Sequence, residues 1–335
     1  MRKKFFAAIL ALALAGALLA GCSGGSGEAP APAPAGEGSA AAPAEAPADS
    51  GGITLTDMTG REVTLEAPAT RVVALTASDV EILYAIGAGD TLAGRGEYCN
   101  YPPEALAVQP VQSGNETNIE QIIALGPQLL LMGTMAQSEE QLKQLEAAGI
   151  AAFVTDAQNI EETYVSIELI GELMGRSAEA GEVVSDMQAT LAELREKAAE
   201  AAEGDQKTIY FEVSPLEYGL WTSGADTFMD EVANLLGLRN IFGDVSGWAE
   251  VSEEQVLERS PDYIMTVGMY FGDGPTPIES LLARPGWESI PAINNRAILN
   301  LTADELSRPG PRIADGAKAL YEFVYESGSA TPNAQ

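Results

Sequence analysis

Apolar and polar positions change period repeatedly along residues 53–325, from runs typical of strands to spacings typical of helices. The apolar runs predicted to be strands are residues 71–75, 91–94, 128–132, 150–155, 208–213 and 297–301. Helical spacings lie between them, for example at residues 78–86, which we expect to start at Ser78 as N-cap and to end near Gly87. Residues 53–65 alternate as a hairpin. This succession predicts a parallel α/β architecture.

Two stretches of the chain are nearly alike. Residues 118–131 align with residues 252–265, so that Glu120 matches Glu254 at an offset of 134 positions. Each copy begins with an Asn or Ser suited to an N-cap, places its Glu in the first helical turn and ends in an apolar strand. The repeat predicts one folding unit used twice, hence two similar lobes with one matching carboxylate each. The helix dipole alone would also favour a Glu at such a position.

Two long helical patterns, at residues 160–175 and 178–202, separate the lobes. The first is predicted to join them, and a helical joint of this kind should restrict their closure. The predicted segments are a signal peptide at 1–21, a disordered tether at 22–52, a lobe at 53–157, a linker helix at 158–178, a second lobe at 179–327 and a tail at 328–335.

The N-terminus predicts export. Three basic residues precede an apolar run at residues 5–20, and Leu19-Ala20-Gly21-Cys22 resembles a lipoprotein signal with Cys22 as the lipidated residue. Residues 23–52 are rich in Ala, Pro, Gly and Ser, which cannot form a core. We therefore expect an extracytoplasmic protein held at the outer face of the cell membrane by a lipid anchor.

Composition excludes several classes. The net charge of −31 becomes −34 once the three basic residues of the signal are removed, which rules against nucleic acid binding. Histidine is absent from the sequence, so Ser-His-Asp and Cys-His nucleophiles, the usual zinc sites and a His-ligated haem are excluded. No built-in cofactor or metal is predicted.

In a two-lobed α/β protein the ligand cleft lies between the lobes, beyond the carboxyl ends of the strands. Four segments that follow predicted strands carry aromatic or polar residues, and we interpret them as loops: 96–103, 215–224, 247–250 and 303–312. The aromatic faces of Tyr98, Trp221 and Trp248 suit a flat macrocycle or an aromatic chelator. Met132 follows a strand and is expected to line the cleft. The alternative is that each ring folds back on its own lobe, as we expect for Trp287.

The signal, residues 71–75, residues 98–103, the two Glu-Gln helices and residues 307–312 together resemble the substrate-binding lipoproteins of iron-complex and cobalamin importers. The resemblance implies a class III periplasmic-binding-protein fold, with two α/β lobes joined by one long helix. It implies a non-enzymatic monomer that delivers a small molecule to an ABC permease dimer with its ATPase subunits. It also implies that Glu120 and Glu254 dock onto arginines of that permease.

Within this family the chain resembles the cobalamin binders, which place corrin-facing and base-facing residues at the positions of Tyr98, Trp221, Trp248 and Asp304. The resemblance makes Asp304 an acceptor for ligand amides. Arg312 is a further candidate for binding, or alternatively braces its own loop through an ion pair. The family's tryptophans are replaced here by Gly114 and Gly133, which leaves a roomier cleft.

The expected ligand is therefore a metal chelate, a corrinoid first, with a haem or a ferric siderophore as alternatives. Two other functions stay open from the residues. A carboxylate-based surface hydrolase would draw on Glu97, Glu250 and Asp304, although their spacing marks no pair. An adhesion or sensor module would keep the fold without transport.

Overall fold

The computed structural model describes residues 52–113, 117–134, 139–202, 204–214, 216–268, 274–301 and 304–326. The predicted signal peptide, Cys22, nearly all of the tether, Gly114 and the tail lie outside these residues. Both lobes belong to one compact unit.

The strands, in chain order, are β1 Ile53–Thr56, β2 Glu62–Leu65, β3 Val72–Ala74, β4 Leu92–Gly96, β5 Pro110–Val111, β6 Leu129–Met132, β7 Ala151–Val154, β8 Thr208–Glu212, β9 Leu220–Ser223, β10 Arg239–Asn240, β11 Trp248–Val251, β12 Tyr263–Thr266 and β13 Ile298–Asn300.

The α-helices are α1 Ala77–Ala85, α2 Ile119–Leu125, α3 Glu139–Ala147, α4 Ile160–Leu173, α5 Ser177–Ala201, α6 Phe228–Leu235, α7 Glu253–Arg259, α8 Pro277–Leu282, α9 Pro291–Asn294 and α10 Ile313–Tyr321. None of the helices in the described ranges is long and apolar enough to cross a membrane.

Two parallel sheets form the centres of the lobes. The first has the strand order β5-β4-β3-β6-β7 and the second the order β10-β8-β12-β13. Strands β3, β6 and β8 are buried throughout, and for this reason the sequence shows them as continuous apolar runs. The predicted α/β fold with two similar lobes is confirmed.

The sequence repeat corresponds to a repeated structural unit. Helix α2 leads to β6, which lies between β3 and β7, and helix α7 leads to β12, which lies between β8 and β13. The side chain of Asn118 accepts a hydrogen bond from the amide of Gln121 at 2.9 Å, and that of Ser252 accepts one from Gln255 at 3.3 Å. The predicted N-caps are therefore present in both copies.

Helix α1 begins one residue earlier than predicted. Its N-cap is Thr76, whose hydroxyl accepts a hydrogen bond from the amide of Asp79 at 3.2 Å, so the assignment of Ser78 as the cap is wrong. The reason lies in the third residue of the helix. The Thr76 hydroxyl also donates a hydrogen bond to the carboxylate of Asp79, so these two residues are bonded twice. The carboxylate of Glu81, three positions after Ser78, instead accepts hydrogen bonds from Arg308 and Arg312.

A helix pair lies between the lobes. Helix α4 packs on α1 and β1 of the N-terminal lobe, and α5 turns back beside it and packs on α6 and α10 of the C-terminal lobe. At 25 residues, α5 is about 37 Å long. The lobe boundaries at residues 157 and 178 remain a prediction.

One apolar core is continuous across this joint. It includes Ile82 in the N-terminal lobe, Ile167 and Leu191 in the helix pair, and Phe211 in the C-terminal lobe. Separating the lobes would expose part of this core to water, which is unfavourable. The continuous core thus favours the restricted closure expected from the sequence.

Candidate ligand-binding site

A cavity of about 470 Å³ lies between the lobes, at the carboxyl ends of β3, β6 and β7. The N-terminal lobe contributes residues 75–79, 132–134 and 155–158 to its wall, and the C-terminal lobe contributes Phe228, Trp248 and residues 307–309. This is the position at which ligands bind in open parallel sheets.

Trp248 forms an aromatic wall that is tied to both lobes. Its ring packs on Phe228 with 5.5 Å between centroids, and its indole N–H donates to Oε1 of Gln158 at 3.2 Å. The backbone carbonyl of Gln158 also accepts a hydrogen bond from the Phe228 amide at 2.9 Å. Because Gln158 follows β7 of the N-terminal lobe, these contacts fix the indole in place without any ligand.

Two other predicted residues line the cavity from the N-terminal lobe. Tyr98 is 73% exposed, so its ring is available at the open side. Met132 is the last residue of β6 and presents a buried apolar surface, followed by Gly133 with no side chain. The predicted roomier cleft at Gly133 is consistent with this geometry.

Trp221 lies outside the cavity lining, on the neighbouring strand. Strand β9 pairs with β11 in an antiparallel ribbon, with Trp221 opposite Glu250 and Ser223 opposite Trp248. Side chains two residues apart share a face, so Trp221 lies on the face of Trp248, about 7 Å further along the ribbon. It is 41% exposed. The segments around both tryptophans are therefore strands, and their interpretation as loops is wrong.

A buried carboxyl group forms part of the cavity floor. Asp79 accepts hydrogen bonds from the hydroxyls of Thr76 and Thr155, the latter at 2.7 Å. Burial raises the pKa of Asp79 to about 6, although both hydroxyls act against this shift. The thiol of Cys99 is also buried, and burial together with the charge of Asp79 raises its pKa to about 12. Cys99 is therefore uncharged at neutral pH.

Asp304 and Arg312 are buried behind the cavity wall and do not contact the cavity. A carboxylate oxygen of Asp304 pairs with Arg308, and Arg308 is the residue that lines the cavity. Arg312 donates two hydrogen bonds to Glu81, at 2.9 and 2.7 Å, and its guanidinium lies 3.8 Å above the ring of Tyr101. Arg312 thus forms an ion pair, as in the alternative predicted for it, but the partner Glu81 lies in α1 of the other lobe and not in the loop of Arg312 itself.

Glu120 and Glu254 are exposed in the first turns of α2 and α7, away from the cavity lining. Hydrogen bonds from its own amide and from Ser252 lower the pKa of Glu254, which keeps this carboxylate charged. Their equivalent positions in the two lobes suit a partner with two equivalent basic sites.

Sequence reasoning missed several residues that shape the cavity, among them Asp79, Thr155, Gln158 and Phe228. The search for candidates favoured loops rich in aromatic residues. The segments 76–79 and 155–158 follow strands just as closely, and this position was the signal that could have identified them.

The chain belongs to the periplasmic binding protein family, which matches residues 72–305. Members of this family are solute-binding proteins of ABC transporters and are not enzymes, so the hydrolase alternative is set aside.

Three comparisons illustrate the relationship. The uncharacterized ABC transporter substrate-binding lipoprotein YvrC of Bacillus subtilis is 34% identical over 276 residues, which cover 82% of this chain and 85% of that protein. The vitamin B12 binding protein BtuF of Vibrio cholerae is 27% identical with a TM-score of 0.62, covering 76% of this chain and 96% of that structure. The haem-binding protein RhuT from Roseiflexus sp. RS-1 is 22% identical with a TM-score of 0.67, covering 78% of this chain and 100% of that structure. At this lower identity, RhuT supports the fold alone.

Proposed function

We propose that the chain is the extracytoplasmic substrate-binding lipoprotein of an ABC importer and that it captures a corrinoid in the inter-lobe cavity. The observation that carries the proposal is the cavity itself, which has an ordered aromatic wall and no uncommitted positive charge among its described lining residues. The similarity to YvrC supports the importer role, and the similarity to a vitamin B12 binding protein supports a corrinoid as the ligand.

Charge separates the candidate ligands. Among the described lining residues Arg308 is the one cationic side chain, and it already pairs with Glu81 and Asp304. In the sequence, residues 114–116, 135–138, 269–273 and 302–303 contain no Lys or Arg. Asp79 and Asp156 add negative charge to the wall. A haem with two carboxylates or an anionic siderophore would therefore meet repulsion without compensation.

A corrinoid fits these conditions better. Its ring is flat and its peripheral groups are mostly uncharged amides, which can use the hydroxyls of Thr76 and Thr155 and the amide of Gln158. A cavity of about 470 Å³ receives one face and edge of such a ring and leaves the remainder at the opening. Tyr98 and Trp221 are exposed at positions where they can cover that remainder.

The predicted site residues thus divide into two groups. Tyr98, Trp248 and Met132 contact the ligand directly, and Trp221 contacts the part of it that protrudes. Asp304 and Arg312 contribute indirectly, because both are held in ion pairs behind the wall.

A titration distinguishes the ligands. Tryptophan fluorescence of the full chain is followed during separate additions of cyanocobalamin, haemin and a ferric siderophore. Quenching that saturates at micromolar cyanocobalamin is the expected result, because the fixed indole of Trp248 lies in the wall. Saturation by haemin or the siderophore alone would replace the corrinoid assignment with the corresponding ligand.

The proposal includes an anchor and a docking surface. Cys22 would carry the lipid, and a Cys22→Ser variant should move from the membrane fraction to the soluble fraction. Glu120 and Glu254 would contact the permease dimer, while the binding protein itself acts as a monomer.

A further inference from the structure

We propose that Glu81 is a positioning residue that builds one wall of the binding site from the opposite lobe. This inference rests on the proposed function only in its ligand readout. Glu81 lies in α1 of the N-terminal lobe, and its side chain is 2% exposed. It does not contact the cavity, yet it binds the segment of the C-terminal lobe that does.

The contacts of Glu81 join charged groups of the two lobes. Its carboxylate accepts one hydrogen bond from Arg308 at 3.0 Å and two from Arg312, at 2.9 and 2.7 Å. Arg308 also pairs with Asp304 in its own lobe. Two carboxylates therefore balance two guanidinium groups, and we call this group of Glu81, Asp304, Arg308 and Arg312 the inter-lobe clamp.

Side chains of the N-terminal lobe reinforce the clamp. Asn100 accepts a hydrogen bond from Arg308 at 2.9 Å, and the ring of Tyr101 lies under the guanidinium of Arg312 at 3.8 Å. Burial would lower the pKa of Arg312, but the hydrogen bonds and charge of Glu81 outweigh it and raise that pKa. The carboxylate of Glu81 thus favours the charged form of Arg312.

The clamp determines where the cavity wall lies. Residues 307–309 line the cavity and sit between Asp304 and Arg312, so both ends of this short segment are held in the clamp. The backbone at Asp304 has a φ of 63°, a left-handed conformation that is unfavourable for an Asp unless surrounding contacts impose it. Without Glu81, the clamp would keep two guanidinium groups and one carboxylate, a buried excess of one positive charge, and the segment would move toward water.

The chain contains a matched control for the effect of losing a buried charge. Glu212 binds Arg284 through two hydrogen bonds, at 2.7 and 3.0 Å, and both side chains are as buried as those of the clamp. This pair lies wholly within the C-terminal lobe and outside the cavity lining. Glu81→Gln and Glu212→Gln therefore each remove a buried carboxylate that binds arginine. Only the ion pairs lost in Glu81→Gln connect the two lobes.

The test uses hydrogen exchange measured by mass spectrometry on the ligand-free full chain. Glu81→Gln should speed exchange at least 10-fold at amides of residues 304–312, and Glu212→Gln should leave that segment at the wild-type rate. In the same proteins, cyanocobalamin affinity should fall at least 10-fold for Glu81→Gln and stay within twofold for Glu212→Gln. Glu81→Asp, which keeps the charge with a shorter reach, should give intermediate values and covers the case in which Glu81→Gln does not fold.

Unchanged exchange in residues 304–312 for both Glu81 variants would overturn the proposal. An equal loss of affinity in the Glu81 and Glu212 variants would also overturn it, because the effect would then follow stability alone. If wild-type protein binds no cyanocobalamin while exchange in 304–312 responds as expected, the clamp is supported and the corrinoid assignment fails.

Discussion

The two lobes share the order of four strands, β4-β3-β6-β7 in one and β10-β8-β12-β13 in the other, and a helix start, but they differ at the ends of their strands. Helices α2 and α7 carry Glu120 and Glu254 at equivalent positions, with equivalent caps. At the cavity, the N-terminal lobe provides the polar floor around Asp79, and the C-terminal lobe provides the ribbon β9–β11 and Arg308. Features kept in both copies suit a partner with two similar halves, and features that differ suit an asymmetric ligand.

The largest effect should come from removing the carboxylates that the two lobes share, and it should appear in import. Replacing both Glu120 and Glu254 by Ala should reduce import at least about 100-fold, because two charge contacts with the permease are lost at roughly tenfold each. Ligand affinity should not change, since neither residue lines the cavity. Uptake of radiolabelled ligand and a binding titration measure the two quantities.

Glu146 and Glu196 offer a matched control, because both are exposed glutamates on helices other than α2 and α7. Their double Ala variant should import at the wild-type rate. A loss of ligand binding in the Glu120 and Glu254 variant would show that these residues do not act by docking.

The next effect distinguishes an indole in the cavity wall from one in a core. Trp248→Ala should weaken cyanocobalamin binding about 30-fold, which corresponds to about 2 kcal/mol for a buried aromatic contact. Trp287 is fully buried beneath Arg284, whose guanidinium lies 4.2 Å from the ring centroid. Trp287→Ala should instead lower the free energy of unfolding by about 3–5 kcal/mol. Ligand titration and denaturant unfolding of both variants measure the two effects. Unchanged binding in Trp248→Ala, or weakened binding with unchanged stability in Trp287→Ala, would contradict these roles.

Sequence reasoning predicted the shared features better than the divergent ones. The repeated helices could be recognised because caps and apolar spacing are local signals, as at Asn118 and Ser252. The ribbon was missed because β9 and β11 are separated in sequence by α6 and β10, so their pairing has no local signature. The clamp was missed for the same reason, since Glu81 and Arg312 are 231 positions apart.

The polar floor predicts a dependence of stability on pH. The pKa of Asp79 is about 6 in the folded protein, and the ordinary pKa of an Asp is 3.8. The folded state therefore binds this proton more strongly than the unfolded state does. The free energy of unfolding should therefore fall as pH rises from about 4 to about 6 and remain lower above that range.

Asp79→Asn should remove this dependence, because an amide can bond both threonine hydroxyls without a charge. The variant should be more stable than wild type by about 3 kcal/mol at pH 7.5 and nearly equal to it at pH 3.5. Urea unfolding at the two pH values measures the difference. A variant that is less stable at pH 7.5 would contradict the raised pKa.

The smallest effect compares the ends of the repeated helices. Gly126 and Ser260 follow α2 and α7 with φ of 59° and 47°, both left-handed. Gly126→Ala should cost about 1 kcal/mol of stability, although an added Cβ there would meet no atom within 4 Å. Ser260→Gly should stabilise the chain by less than about 1 kcal/mol. Changes of the same sign in the free energy of unfolding of the two variants would show that the two helices do not share a left-handed C-cap.

A ligand in the cavity should contact the divergent strand ends and leave the repeated helices free for a transporter. Hydrogen exchange of the full chain, with and without saturating cyanocobalamin, separates these two surfaces. We expect slower exchange at residues 76–79, 155–158 and 248–251, with no change in α2 or α7. Protection centred on α2 and α7, with none at the strand ends, would contradict it.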